Sequence, residues 1–569
     1  MASRSAAPPS YSVRSLDTFR GSTRDRTGVE TKENEFYDLT NWRNYEREAL
    51  RKRLGGAKVF AETHNGGAKV RGLHTYLSDA SVETYLKMAN QKIYKSVAGA
   101  AWAEITASAP TWTDADCYFA TLKTVTTGAS NSDSGTNESS TSTTMDDTDK
   151  TFTINAYTDQ ILTVGGENKL ITANDPNTVF IAERFDTNPS GASYTIKPRQ
   201  SEFFVANGTD FYKCDGTTFT RLDNSTFAYA FAGIVEHGGR LFGWKGSRLH
   251  WSDFGSGQHF SRNSWRDFGS TIIRAEPLGS DMLIIYEEKR VTVMFGDTPD
   301  DFTFQDLLVG IGTDCPKTIA TYHGRYQFFL SRDVGVVILT AQGIGPGGDS
   351  AEPLSISEGY IQTLLEAQSE ATLMAACADV HDDSYHLCVD DDWYVLNVRA
   401  AEKLRFMDWI WTFDNRPDAM DAHVLGHFGT LFVAGAQDNG QVYQIEKSAT
   451  YTDDGTTIDG VIEKRDWNVG NASSVKKFWA LAVSQPESAG SVTMSYYADA
   501  DGSTYSSAIG TVVLNTAGRS EHRIPITANH STGMKNTGKK LSFKITESAT
   551  VAVPDIEQIE LLYYPGVVR

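Results

Sequence analysis

Short apolar runs separated by small polar turns recur along the chain. Tyr85–Thr106 (YLKMANQKIYKSVAGAAWAEIT) and Phe203–Asp223 (FFVANGTDFYKCDGTTFTRLD) share one order: an apolar run, an Ala-Asn turn, a run containing Tyr-Lys and, after a small loop, another aromatic residue. Runs of four to six residues joined by short turns are typical of antiparallel β-hairpins. The pattern therefore predicts a hairpin that the chain repeats.

Five further segments show the same pattern: Arg240–Asp253, Asp281–Asp297, Arg325–Thr340, Ser384–Val398 and Thr430–Glu446. The starts at Phe203, Leu241, Asp281 and Arg325 lie 38, 40 and 44 residues apart. One hairpin cannot bury both of its faces, so repeated hairpins must pack on one another. Units of about 40–50 residues with four short strands each are typical of β-propellers. We therefore predict about seven blades ending near Lys447, and the alternative is an array of β-sandwiches with coincidental spacing.

Two regions depart from this period. Thr124–Lys150 consists almost wholly of Ser, Thr, Asn, Asp and Gly, which indicates a linker or an exposed loop. The short alternating runs of Thr151–Ile196 predict a small β-module inserted between the first two repeats. From about Thr456 the apolar runs are longer and alternate more strictly, which favours a C-terminal β-sandwich.

The predicted fold class is all-β: a multi-bladed β-propeller with a small inserted β-module and a C-terminal β-sandwich. One amphipathic segment, Ser357–Ala376, predicts a helix with Ser357 as its N-cap. The predicted boundaries are an N-terminal entry or docking segment at 1–67, a first blade at 68–123, the linker and inserted module at 124–198, the remaining blades at 199–450 and the sandwich at 451–569.

Charge and composition narrow the classes of function. The chain has 52 basic and 72 acidic residues, a net charge of −20, which disfavours general binding to nucleic acid or to anionic membranes. No run approaches the roughly 18 apolar residues of a membrane helix, and the N-terminal MASRSAAPPSYS lacks the apolar core of a signal peptide. Five widely spaced cysteines favour reduced, buried thiols, without disulfides or a zinc site.

Candidate chemistry is sparse. Gly343–Gly348 (GIGPGG) has the spacing of a dinucleotide fingerprint, but Pro353 and polar residues follow where a helix should begin. Asp499 and Asp501 resemble the start of a calcium loop, but Gly510 stands where the bidentate Glu is needed.

His381–Tyr394 (HDDSYHLCVDDDWY) contains five aspartates and two histidines, which would suit a metal site or a paired-carboxylate hydrolase. Its acids flank a strand, where turn aspartates are common. We therefore expect no enzymatic activity, no cofactor and no metal.

The only dense basic cluster lies in Glu46–Arg53 (EREALRKR). In an acidic chain such a cluster favours docking on an acidic neighbour over reading DNA. The predicted docking residues are Arg47, Arg51, Lys52 and Arg53.

Taken in order, these segments resemble the β-propeller tail hub or nozzle proteins of tailed bacteriophages. The resemblance extends over Phe36–Ile445. It rests on FYDLTNWRNYEREALRKRLGG, VRGLHTY, the residues Arg240, Leu241, Trp251, Ser252, Asp253 and Phe260, and the stretches LLVGIGTDCPKTIA and FFLSRDVGVVIL.

The resemblance implies a structural virion protein of the tail, made in the host cytoplasm. Six copies would form a ring that closes the DNA exit channel, contacts an adaptor or tube protein, and holds fibres, a spike or a plug. DNA would pass without sequence-specific binding. The alternatives are a glycan-binding or glycan-cleaving propeller that contacts the host surface, with some of the 11 Trp and 24 Tyr residues stacking on sugars, and a head decoration protein.

Overall fold

The computed structural model describes most of the chain between Ser12 and Tyr564. The described residues are 12–16, 19, 22–24, 35–45, 49–60, 68–125, 131–222, 230–260, 263–341, 354–403, 409–467, 475–484, 491–498, 510–513, 521–526, 537–538, 541–548, 556 and 558–564. Within them the fold is almost entirely β, and a β-propeller forms its centre. The predicted fold class is confirmed.

Six blades each contain four antiparallel strands that follow one another in the chain; blades 1 to 5 are separate sheets, and the strands of blade 6 belong to a nine-stranded sheet. Blade 1 contains Val70–Leu77, Glu83–Ala89, Lys92–Val97 and Ala103–Glu104, and blade 2 contains Tyr118–Val125, Arg199–Ala206, Phe211–Cys214 and Phe219–Arg221. Blade 3 contains Gly233–His237, Arg240–Lys245, Arg248–Trp251 and Trp265–Asp267, and blade 4 contains Ile272–Pro277, Met282–Glu287, Arg290–Phe295 and Thr303–Val309. Blade 5 contains Ala320–Tyr322, Tyr326–Ser331, Gly335–Thr340 and Leu354–Ser355, and blade 6 contains Cys377–His381, Ser384–Val389, Asp392–Asn397 and Trp411–Asn415.

A seventh blade closes the ring with a strand from the N-terminal part of the chain. Its first three strands are Ala422–Phe428, Leu431–Ala436 and Val442–Lys447, and the fourth is Gly55–Lys58, which pairs antiparallel with Val442–Lys447. A Cβ at Gly55 would lie 2.1 Å from the Thr452 carbonyl oxygen, so only glycine fits there. The first strands of all seven blades contribute to one central cavity.

The predicted hairpins are the second and third strands of all seven blades. Their apolar side chains fill the spaces between neighbouring blades. One such core joins blades 1 and 2 around Leu86, Phe203 and Phe219, and another joins blades 4 and 5 around Ile284 and Phe329. The repeated hairpin is therefore the structural unit that each blade packs against its neighbour.

The inserted module lies within blade 2, whereas the sequence predicted it between blades. Val125 at the end of the first strand faces Arg199 at the start of the second, and the module occupies the chain between them. It forms a seven-stranded sheet of Asp133–Thr136, Ser139–Ser140, Thr144–Asp146, Ile161–Val164, Glu167–Asn174, Thr178–Ile181 and Ser193–Lys197. Three of these strands fall in the segment predicted as a linker. Buried Met145 and the hydrogen bonds of Ser and Thr side chains hold that segment in the sheet.

The C-terminal sandwich also contains N-terminal strands, so residues 1–67 do not form a separate segment. One sheet contains Ser12–Leu16, Gln558–Tyr564, Lys476–Ser484, Glu521–Pro525 and Thr537–Gly538. The other contains Asp38–Thr40, Gly460–Trp467, Leu541–Glu547, Ser491–Ala498 and Gly510–Val513. One apolar core fills the space between the sheets, and Leu16, Phe36 and Leu39 from the N-terminal part belong to it.

The sandwich and the propeller share a continuous sheet. Thr40 pairs with Phe413 of blade 6 in parallel, which joins the four strands of blade 6 to five strands of the sandwich. Two small hairpins lie beside this junction, Trp42–Tyr45 with Ala49–Lys52 and Thr452–Asp453 with Thr456–Thr457. The two domains are thus linked through backbone hydrogen bonds.

Helices are short and lie in connections. They are Gln362–Glu366, Glu370–Ala375 and Val398–Lys403, with 3₁₀ turns at Pro316–Thr318 and Asp418–Met420. The predicted helix over 357–376 is therefore two shorter ones. Ser369 provides the N-cap of the second, while the Ser357 hydroxyl accepts a hydrogen bond from the Val336 amide instead. Among the described residues, no helix has both the length and the apolar composition needed to cross a membrane.

Candidate functional site

The predicted docking residues are not a uniform exposed patch. Lys52 and Arg53 are buried, and each forms an ion pair inside the chain, Lys52 with Glu547 and Arg53 with Asp453. Arg51, directly before Lys52 in the same strand, is exposed, because successive side chains of a strand point to opposite faces. Arg47 lies outside the described residues. The exposure assumed for Lys52 and Arg53 is therefore wrong, since their charges are used within the fold.

Arg53 belongs to a larger cluster between the sandwich, blade 6 and blade 7, which we call the seam cluster. Its members are Arg43, Arg53, Asp414, Arg416, Glu446 and Asp453. Arg43 Nη2 donates to Asp414 Oδ2 at 2.6 Å and to Glu446 Oε1 at 2.9 Å. Arg416 Nη2 lies 2.8 Å from Asp414 Oδ2.

The seam cluster balances three cations with three carboxylates away from solvent. Burial alone would raise the pKa of Asp414, but Arg43, Arg416 and Arg53 hold it well below its usual range. Asn41 completes the cluster, because its side-chain oxygen accepts from Arg53 Nε at 2.7 Å and from the Asn415 amide at 2.9 Å. A cluster whose charges are paired in this way stabilises a junction and leaves little charge for an external partner.

A second polar group lines the central cavity, which has a volume of about 380 Å³. Asp116 contacts the other members of this polar group. His423 Nε2 lies 2.7 Å from one of its carboxylate oxygens, and Lys317 Nζ lies 3.4 Å from the other. Arg71 Nη1 lies 3.4 Å from Asp116 Oδ1. Burial lowers the pKa of Lys317 and of His423. The charges are again paired, and they connect the first strands of blades 1 and 7 with the segment before blade 2 and the turn before blade 5.

The predicted acidic turns lie at opposite ends of the second strand of blade 6, Ser384–Val389. Asp382 and Asp383 form the turn after Cys377–His381, with φ values of 42° and 61°, and Asp390 adopts φ 55° in the next turn. The turn interpretation of these aspartates is therefore confirmed. A depression of about 590 Å³ lies beside Asp382 and Asp383, and its other lining residues are Thr321, His323, Val380, His381 and His427.

Two histidines in this depression face each other across the two blades. His381 Nδ1 lies 3.3 Å from His427 Nε2. The other nitrogen of each ring lies beside a carboxylate: His427 Nδ1 is 3.1 Å from Asp379 Oδ2, and His381 Nε2 is 3.3 Å from Asp382 Oδ2. We call these four residues the histidine pair site. The sequence pointed to His381 and Asp382, but His427 is 46 residues away and no local motif indicates it.

Asp391 and Asp392 each have a side-chain partner inside the chain. The Asp392 carboxylate accepts a hydrogen bond from the Tyr394 hydroxyl at 3.2 Å. Burial raises the pKa of the neighbouring Asp421 to about 8, and its hydrogen bond with Asp391 contributes to the shift. Elsewhere, Glu138, Asp147 and Asp149 of the inserted module place carboxylate oxygens within 4.8 Å of one another. Thr148 and Tyr194 already donate hydrogen bonds to Glu138 and Asp147.

The aromatic residues invoked for sugar binding are mostly in the core. Nine of the eleven tryptophans are buried, Trp265 is half-buried and Trp479 is 41% exposed. All five cysteines are buried, free thiols. The glycine motif at Gly343–Gly348 and the acidic pair Asp499 and Asp501 lie outside the described residues.

Comparisons with known proteins find only weak structural similarity. No protein-family model matches the sequence, and no curated protein matches it. The extracellular domain of the hybrid two-component system BT4673 from B. thetaiotaomicron is similar with a TM-score of 0.30 and 10% identity, over 89% of this chain and 73% of that one. The Neurospora crassa Pan2 WD40 domain gives 0.26 and 8% identity over 72% and 90% of the two chains. Kluyveromyces lactis Hsv2 gives 0.24 and 9% over 35% of this chain, and the match spans only 56% of Hsv2. Scores this low carry no argument about function.

Proposed function

We propose that the protein is a structural subunit of a tailed-bacteriophage virion, in the ring that forms the tail hub or nozzle. The observation that carries the proposal is the junction between propeller and sandwich. Blade 6 and the sandwich share one sheet, and the seam cluster occupies the same junction. A ring that surrounds an exit channel needs subunits that hold their shape, and this junction gives a propeller and a sandwich one fixed arrangement.

The order of sequence segments from Phe36 to Ile445 supports the same proposal, because it resembles that of phage tail hub and nozzle proteins. The net charge of −20 suits a wall past which DNA moves, since an acidic surface repels phosphates. We infer a closed ring, of six copies in the family it resembles. A ring with cyclic symmetry of this order uses heterologous contacts, in which two different surfaces of each subunit meet.

In this proposal the partners are further copies of the chain, an adaptor or tube protein, and a fibre, spike or plug. Exposed Arg51 stays a predicted contact for an acidic partner, together with Arg47. Lys52 and Arg53 are assigned to the interior of the subunit instead. The glycan-active alternative loses its main sequence argument, because nine of the eleven tryptophans lie in the core.

The experiment is to produce phage particles that carry an epitope at the C-terminus of this chain and to label them with gold-conjugated antibody. We expect label at the tail end and the chain in purified particles at a fixed stoichiometry. Particles made without the chain should not retain their DNA. Label on the head, or intact and infectious particles without the chain, would contradict the proposal.

A further inference from the structure

In the histidine pair site, a carboxylate accounts for only one of the two nitrogens of each imidazole ring. A carboxylate can only accept, so Asp379 requires the proton of His427 to reside on Nδ1. In the same way Asp382 favours the proton of His381 on Nε2. The remaining ring nitrogens, His381 Nδ1 and His427 Nε2, then lie 3.3 Å apart, and neither carries a proton when both rings are neutral. Two such nitrogens need an electron-pair acceptor near both of them, which is either a second proton on one ring or a metal ion.

The distance fits a metal ion as that acceptor. Zinc–imidazole bonds are about 2.0–2.1 Å long, and two such bonds at a tetrahedral angle place their nitrogens about 3.3–3.4 Å apart. The separation of His381 Nδ1 and His427 Nε2 is 3.3 Å. Carboxylates on the far nitrogens are the usual second partners of metal-binding histidines, because they fix the tautomer and increase the basicity of the ring. Asp379 and Asp382 stand in those two positions.

The surroundings hold both rings in place and leave the site accessible. Phe432 of blade 7 stacks on His381 with ring centres 4.8 Å apart and an angle of 14° between the rings, and it contacts His427 at 5.4 Å. The side chains of His381 and His427 are 15% and 33% exposed. They border the 590 Å³ depression, where His323 and Asp383 also lie. An ion could therefore enter from solvent and keep open coordination positions.

We propose that His381 Nδ1 and His427 Nε2 bind one divalent transition-metal ion of the zinc class between blades 6 and 7. Imidazole ligands select zinc, copper or nickel over the harder magnesium and calcium ions. Asp379 and Asp382 act as positioning residues, and water completes the coordination on the side of the depression. This assignment is independent of the proposed virion function.

The test uses the full chain, stripped of metal with a chelator and titrated at about pH 7.5. Calorimetry with zinc chloride should show one ion per chain, and cobalt chloride should give the visible absorption of a nitrogen-ligated ion of low coordination number. The double variant His381→Gln/His427→Gln should lose this binding. His259→Gln is the matched control, because His259 also has an aspartate partner, Asp253 at 2.9 Å, and should bind zinc like the parent chain.

Asp379→Asn keeps both ligands and removes only the carboxylate partner. It should weaken zinc binding about 10–100-fold. Zinc-edge X-ray absorption of the unaltered chain should show two imidazoles in the first shell and does not depend on the folding of any variant. An unaltered chain that does not bind zinc would overturn the proposal, as would equally tight binding by the double variant or a first shell of oxygen alone.

Discussion

Two polar clusters join blades 6 and 7, and they differ in what surrounds them. In the seam cluster, three arginines and three carboxylates lie against the sandwich, and the side chains of Arg53 and Asp414 are completely buried. In the histidine pair site, the side chains of His381 and His427 remain partly exposed beside a depression. Both clusters connect the same two blades, so position in the ring does not determine their roles.

The difference lies in how completely each cluster satisfies its own groups. Asp414 of the seam cluster has arginine partners on both carboxylate oxygens, which leaves it no capacity for an external ligand. The facing nitrogens of the histidine pair site satisfy each other only if one of them carries an additional proton. A satisfied buried cluster stabilises a junction, whereas an unsatisfied accessible one can bind.

The largest effect should come from breaking the seam cluster. Arg53→Met should lower the free energy of unfolding by about 3–5 kcal/mol, because it leaves Asp453 buried without one of its partners. Arg51→Met is the matched control on the same strand and should change that free energy by about 0.5 kcal/mol or less. Urea unfolding followed by tryptophan fluorescence measures both. Equal effects of the two variants would show that burial at this segment does not matter.

Removing the inserted module should lower the free energy of unfolding by less than Arg53→Met does. Val125 and Arg199 face each other, so an Asn-Gly turn can replace residues 126–198 and close blade 2 as a hairpin. The propeller should unfold cooperatively with a loss of about 1.5–3 kcal/mol, because Arg240 of blade 3 loses its partner Glu183, 3.1 Å away. Glu183→Gln in the full chain isolates this contact and should show a loss of the same order. A broad, non-cooperative transition in calorimetry would mean that the module is part of the propeller core.

A smaller effect on stability should come from Asp421 and should depend on pH. The pKa of Asp421 is raised to about 8 in the folded chain, so the folded state keeps a proton that the unfolded state has released. Stability should therefore fall as pH rises from about 4 through 8, by on the order of 1–3 kcal/mol. Asp421→Asn should remove this slope, and Asp392→Asn should retain it. Thermal unfolding across that range checks the prediction, and identical slopes in the parent chain and Asp421→Asn would refute it.

The smallest effect should come from an exposed ion pair. Arg184 of the inserted module and Asp300 after blade 4 are paired at 2.9 Å, but their side chains are 67% and 69% exposed. Arg184→Ala should change the free energy of unfolding by about 0–1 kcal/mol, because solvent screens such pairs. A loss as large as that of Arg53→Met would remove the distinction between buried and exposed pairs.

Local patterns in the sequence predicted the blades well. All seven hairpins were visible because each has two apolar runs around a short turn. The fourth strand of blade 7 was not, since Gly55–Lys58 has little apolar alternation and its partner strand lies almost 400 residues later. The serine- and threonine-rich strands of the inserted module were missed because hydrogen bonds between side chains contribute much of their cohesion.

The sites were harder to predict, because the residues that contact each other in them are distant in the sequence. Lys52 and Arg53 look exposed in the sequence because their partners, Glu547 and Asp453, are distant along the chain. His381 was noticed for its acidic neighbours, but only the packing of blade 7 against blade 6 brings His427 to it. Charge pairing and metal binding depend on contacts between blades, which a single sequence does not show.

We propose that this chain is a rigid structural subunit of a phage tail ring, and a cryo-electron microscopy reconstruction of the tail tests this proposal most directly. We expect a closed ring at the tail end in which each subunit shows a seven-bladed propeller joined to a sandwich as in the monomer, with the seam cluster inside the subunit. A tail end without this density, or subunits whose sandwich and propeller have separated at the seam cluster, would contradict it.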